Sequence, residues 1–205
     1  MSFAGWVAFF LASVVIAVSP GPGAVVCMST GLRHGYRATL KMIAGLEAAL
    51  LVQLAIVFAG LGALLAASTT AFSVMKFAGA GYLVWLGVQK WRAPVDGGAE
   101  QAADTTPSRG LFLQGLLVNL TNPKAIVFMA ALVPQFIDPH AAQWAQFAIM
   151  SVTMVAVDTV VMSGYSLLAA RFRPLLHNAA ALRTQNRIFG GLFVGAGAFL
   201  ASATR

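Results

Sequence analysis

The fold class this sequence predicts is an all-α membrane protein, with six transmembrane helices arranged as two inverted three-helix repeats. Three observations carry that expectation. Of 205 residues, 59% are hydrophobic and only 9% charged, whereas a soluble domain carries about 25% charged residues. Six apolar segments approach the roughly 20 residues needed to cross a hydrocarbon layer about 30 Å thick. The first and fourth of these segments are interrupted by proline at matching places, Pro22 and Pro123, about half the chain apart.

Composition also removes other classes. The net charge of +7 and the pI near 10.4 would suit a nucleic-acid partner, but the bases lie in short clusters between apolar runs, so none is expected. Cys27 is the single cysteine, which excludes an intramolecular disulfide, a CxxC redox pair and a cysteine zinc site.

The first segment, 5–31, has no Lys or Arg ahead of its apolar run. A secretory signal needs that basic start, so the segment reads as a retained transmembrane helix. The second covers 39–66 and the third 70–91. A stretch without apolar period, APVDGGAEQAADTTPS at 93–108, then reads as a mobile linker between a first repeat at 1–92 and a second at 109–205. The fourth segment, 110–137, contains the amides and cation of VNLTNPK. The fifth covers 144–170 and the sixth 188–202, the last being short enough to extend back toward Arg183. Trp6, Trp85, Trp91 and Trp144 fall near segment ends, as interfacial aromatics do.

Ten of the thirteen bases sit on odd-numbered connections: Arg33, Arg37, Lys41, then Lys90, Arg92, Arg109, then Arg171, Arg173, Arg183, Arg187. The positive-inside rule makes those connections cytoplasmic and puts both termini in the periplasm. Lys76 is close enough to the outer end of the third segment to snorkel.

The prolines do more than mark an offset. PGAVVCM at 22–28 aligns with PKAIVFM at 123–129. Each half holds an odd number of spans, so the second copy enters the membrane inverted, and interrupted helices at matching positions point to a transporter's central site. Pro20, Pro22 and Pro123 lack N–H groups, so the carbonyls of Ile16, Val18 and Asn119 lose their helical partners. Each new half-helix also presents N–H groups, around Gly23 to Val25 and Lys124 to Ile126. Hydrocarbon cannot satisfy such groups, so they face protein, water or a ligand. N–H groups suit a carboxylate and orphan carbonyls an ammonium, which together describe a zwitterion pocket. The alternative is that the prolines kink helices for packing.

SPGP in the first segment, GAGYLVWLG in the third, NPKAIVFMAALVPQFI in the fourth and IFGGLFVGAGAFLAS in the last resemble the LysE/RhtB superfamily of bacterial amino-acid exporters. The likeness spans essentially the whole chain and is strongest to the homoserine/homoserine-lactone and threonine branch. It implies ion-driven export of small neutral amino acids or derivatives across the inner membrane. It carries Ser19, Pro20, Gly21, Pro22, Asn122, Pro123 and Lys124 over as motif positions. With Gly23 and Asn119 beside the breaks, these make up the expected substrate site.

Of six acidic residues, only Glu47 and Asp158 lie within spans. Asp158 is 13 residues before Arg171, roughly 20 Å from the cytoplasmic end. A central Asp costs about 3 kcal/mol on insertion scales, which makes it the expected proton-coupling residue, the alternative being a structural hydrogen bond or ion pair. Glu47 lies about 9 Å deeper than Lys41; it could gate, touch substrate, or pair with a first-loop arginine. Lys124 could pair with Asp158 or bind a carboxylate, but its place beside Pro123 favours fixing the break. A rival reading makes Glu47 and Asp158 the paired carboxylates of an intramembrane enzyme, at different expected depths. No Ser/His, HExxH or Cys constellation occurs in the spans, so no catalytic set, metal or cofactor is expected. His34, His140 and His177 read as solvated loop residues, and the methionines as lipid-facing or gap-filling. Gly191 and Gly195 form a GxxxG that packs helices within the chain or across a homodimer.

Overall fold

Proline decides where the first span breaks. In the structure, a computed structural model that describes residues 1–67, 69–92, 110–129, 133–138, 141–169 and 179–202, α1 (Phe3–Val18) stops short of Pro20. The next helix, α2 (Pro22–His34), begins on Pro22 itself, and the two are bent by 56°. Proline is suited to that first position, because its missing N–H would have had no helical partner there. At its other end α2 closes on Gly35, whose φ of 76° is the left-handed conformation that favours glycine. His34 is therefore the exposed last residue of a helix rather than part of a loop, and it lies with Arg33 at the negative end of the helix dipole. His140, His177 and the linker at 93–108 lie outside the described residues.

The third helix, α3 (Tyr36–Ala67), runs 32 residues without interruption, and α4 (Thr69–Arg92) follows. The fourth segment is broken like the first. It consists of α5 (Leu111–Leu120), α6 (Pro123–Val127) and a 3₁₀ turn over Val133–Phe136. Then come α7 (Gln143–Leu167) and α8 (Ala179–Ser202). The last helix is 24 residues long, extending well before the apolar run at 188–202. Among the described residues there is no strand. By length and apolarity α3 (over Tyr36–Gly60) and α7 can cross a bilayer, and the bent pair α1–α2 makes a third span if counted as one. Large apolar side chains stand exposed along these helices, Ile56, Val152 and Val160 among them, as lipid-facing positions require.

Packing separates the helices into two groups. α5 lies against α3, and α7 lies against α1, α2 and α3. The α3–α5 approach is close because a Cβ on Gly45 would collide with the Phe112 carbonyl, and one on Gly115 with the Met42 carbonyl. The other group is the pair α4 and α8, which pack chiefly on each other. A Cβ on Gly87 would come within 2.6 Å of the Gly190 carbonyl, and one on Gly190 within 2.7 Å of the Gly87 carbonyl. Gly197 meets Ala80 in the same way, at 2.8 Å. The small residues that join these helices are thus Gly190 and Gly197. Among the described residues nothing lies within 4 Å of where a Cβ on Gly191 or Gly195 would stand, so their GxxxG is not the contact that joins these helices.

Two buried apolar clusters fill the first group. One gathers Phe9, Leu50, Leu54, Phe128, Val133, Ile137 and Met150. The other gathers Ala24, Cys27, Met42, Leu46, Leu111 and Met162. Buried polar side chains, including Ser19, Glu47, Gln53, Asn119 and Asn122, come from the same helices. Polar groups buried among apolar ones need partners, and their partners define the site.

Candidate functional site

Three carbonyls lose their helical partners to proline, and each is served from another element. Lys124 Nζ donates to the Ile16 carbonyl at 2.9 Å and also to the Ser19 carbonyl at 2.6 Å. Tyr165, from α7, donates its hydroxyl to the Val18 carbonyl at 2.6 Å. Gln53, from α3, donates Nε2 to the Asn119 carbonyl at 3.0 Å. The ammonium on the end of α1 is therefore the protein's own. A Cβ on Gly21 would lie 3.3 Å from Lys124 Cε and Nζ, so glycine there leaves the lysine room to cross the break.

The two half-helix starts differ. At α6, Asn122 is the cap: its Oδ1 accepts from the Lys124 N–H at 3.1 Å, and its carbonyl accepts from the Ile126 N–H at 3.0 Å. Asn119 secures this turn to α3, donating Nδ2 to the Leu46 carbonyl at 2.9 Å. At α2 the cap is Gly21, which has no side chain to offer. The Val25 N–H is bonded to the Gly21 carbonyl, leaving Gly23 and Ala24 as the start of α2 that faces inward.

Gly23 and Ala24 line a small, partly enclosed cavity of about 50 Å³ where the two broken helices meet. Its polar lining is Asn119, Asn122, Lys124 and Asp158, and its apolar walls include Leu46, Leu50, Phe128, Met129, Met154 and Met162. Of the residues expected at the site, Gly23, Asn119, Asn122, Lys124 and Asp158 line this space. Ser19, Pro20, Gly21, Pro22 and Pro123 form the breaks beside it. Three methionines expected to face lipid or fill gaps instead line its wall. Among the described residues, none of its lining comes from α4 or α8.

Glu47 does not line the cavity. It is 7% exposed, and its Oε1 accepts from Thr159 Oγ1 at 3.2 Å. Its carboxyl group is a direct electrostatic neighbour of Asp158, which in turn faces the Lys124 ammonium. The different depths expected for the two carboxyls are corrected by this packing: α3 and α7 bring them together. Thr159, Gln53 and Tyr165 are the contributors that sequence reasoning missed. Gln53 alone carried a signal, as an amide within an apolar span.

A cavity between two broken helices, carrying both signs of charge in apolar walls, is the setting in which relatives become informative. The family model described as LysE type translocator matches residues 14–204. A homoserine/homoserine lactone efflux protein of Salmonella typhimurium is 45% identical over 203 residues, 99% of this chain and 98% of that protein. An uncharacterized membrane protein of Vibrio cholerae is 42% identical over 198 residues, 97% of each chain. A leucine efflux protein of Klebsiella pneumoniae is 30% identical over 203 residues, 96% of this chain and 94% of that protein. No solved structure matches. The family model covers nearly the whole chain, including both proline breaks and every polar residue of the cavity, and the chain belongs to the LysE family of translocators.

Proposed function

We propose that this protein is a secondary exporter of small neutral amino acids or their derivatives across the bacterial inner membrane, driven by proton antiport. Homoserine and homoserine lactone are proposed as substrates from the names of the nearer relatives, and threonine from the resemblance carried by the sequence motifs. The carrying observation is the cavity where the breaks meet. It offers the start of α2 at Gly23 and Ala24 to a carboxylate or lactone carbonyl, and Asp158 to an ammonium. Apolar walls receive the side chain, and the polar groups fix orientation.

The architecture proposed with it is six spans in two inverted halves, 1–92 and 109–205, with the 93–108 linker cytoplasmic and both termini periplasmic. Its support is the exchange of partners in the packing. The second long helix of each half lies against the broken helix of the other: α3 on α5, and α7 on α1 and α2. The last helices, α4 and α8, lie on each other. A two-fold relation between halves produces that pattern, and rocking of one half against the other would alternate access. The open Gly191–Gly195 face of α8 is where a homodimer contact would form.

Everted membrane vesicles test the reading. Labelled homoserine should accumulate inside them under an imposed pH gradient, be recovered chemically unchanged, and be lost when the gradient is collapsed. Conversion to another compound would instead favour the paired-carboxylate enzyme, for which the closeness of Glu47 and Asp158 is the one supporting observation. Absence of any accumulation, with either homoserine or threonine, would overturn the exporter assignment.

A further inference from the structure

Behind Asp158, one step back from the cavity, Glu47 is held between the Thr159 hydroxyl and the Asp158 carboxyl group. Thr159 Oγ1 donates to Glu47 Oε1 at 3.2 Å. Glu47 Oε2 is buried, and among the described residues no N–H or hydroxyl group donates to it. Thr159 follows Asp158 in the chain, so the residue that grips Glu47 stands next to the one that lines the cavity. The Glu47 and Asp158 carboxyl groups act on each other directly. Among the described residues, the titratable groups facing this pair are Cys27, from α2, and Lys124, from α6.

A buried carboxylate oxygen with no donor is costly, and two neighbouring carboxylates repel when both are charged. Both problems are solved by one proton placed between them. With Oε1 already accepting from Thr159, the oxygen left to carry or share that proton is Oε2. We propose that Glu47 and Asp158 work as one acid that holds a single exchangeable proton, with Thr159 as the positioning residue that turns Glu47 Oε2 to that task. The proton leaves when a substrate ammonium reaches Asp158 and returns from the opposite side of the membrane after the substrate departs. One bond to hydrogen breaks and one forms at each transfer, and no co-reactant is needed. Glu47, outside the cavity lining, holds the proton without touching substrate.

This inference rests on the proton-antiport reading, and the experiment separates the two. Purified protein in vesicles is loaded with labelled homoserine, and gradient-driven export is measured across external pH for the parent, Thr159→Val, Thr159→Ser and Glu47→Gln. Thr159→Val keeps the shape of the side chain and loses the donor. Its half-maximal pH should move by about one unit, the size expected for one hydrogen bond to a charged group. Thr159→Ser, which keeps the hydroxyl, should restore the parent profile. Glu47→Gln should reduce gradient-driven export at least tenfold, and adding it to Asp158→Asn should reduce export no further than Asp158→Asn does alone, because one acid can be removed only once. Where Thr159→Val fails to accumulate in membranes, Glu47→Gln decides alone. A parent-like profile in Thr159→Val, a serine variant that behaves like valine, or full export by Glu47→Gln would each overturn the shared-proton site while leaving antiport standing. A parent protein indifferent to the pH gradient would overturn both.

Discussion

The ammonium of Lys124 lies within 3 Å of two carbonyls, those of Ile16 and Ser19, that α1 leaves without helical partners. Hydrogen bonds to charged groups contribute about 1.5–3 kcal/mol each, so Lys124 holds the first break in place from the second. Lys124→Met removes the donor, leaving Ile16 and Ser19 carbonyls unserved in an apolar setting. The expected outcome is a protein less stable by about 2 kcal/mol, read as a lower melting temperature in detergent, with export abolished. Asp158 is the second residue-scale test. Asp158→Asn keeps the size and hydrogen-bonding capacity but cannot titrate, and it removes an intramembrane charge, so membrane levels should match or exceed the parent's. It should lose export driven by a pH gradient while retaining slower exchange of labelled for unlabelled substrate at equal pH. Undiminished gradient-driven export would remove Asp158 from the coupling role.

At the scale of elements, the breaks and the glycine contacts make separate predictions. Pro22→Ala and Pro123→Ala each return an N–H to the backbone, facing the Val18 and Asn119 carbonyls now served by Tyr165 and Gln53. A continuous helix becomes competitive with the broken one. Each variant should accumulate normally and lose export; normal transport in both would make the prolines packing kinks. The α4–α8 contact is tested by neighbouring glycines. Gly190→Ala drives a methyl into the Gly87 carbonyl, and overpacking of that kind costs about 1–3 kcal/mol. Gly191→Ala meets nothing among the described residues, so its melting temperature should stay near the parent's. Equal destabilisation by both would mean that the Gly191 face is covered, most simply by a second copy of the chain.

For the whole molecule the testable quantity is orientation. The described odd-side bases include Arg33, Arg37 and Lys41, all exposed where α2 ends and α3 begins, and a basic cluster at a helix turn is retained on the cytoplasmic side. A periplasm-active reporter fused after Arg205 should work, and the same reporter inserted in the 93–108 linker should be silent. The reverse pattern, or activity at both sites, would break the two-halves relation and the alternating-access reading together.

By itself the sequence determined the class, the element order and the places where helices stop. Those depend on local terms: apolar run length against bilayer thickness and the missing N–H of Pro22 and Pro123. It also marked Asp158 and Lys124, because an ionisable group in an apolar span is costly wherever the chain places it. Only the tertiary structure decided what answers each broken carbonyl. The donors at Lys124, Tyr165 and Gln53 are separated from their acceptors by 66 to 147 residues, and no local rule pairs groups so far apart. It likewise decided which glycines pack, since Gly190 and Gly191 differ only in the face of α8 they occupy. Glu47 and Asp158 looked separate when depth was counted along each helix from its own basic end. Sideways packing of α3 against α7 sets the distance between them, and that packing follows from the shape of side chains meeting across the bundle rather than from spacing along the chain.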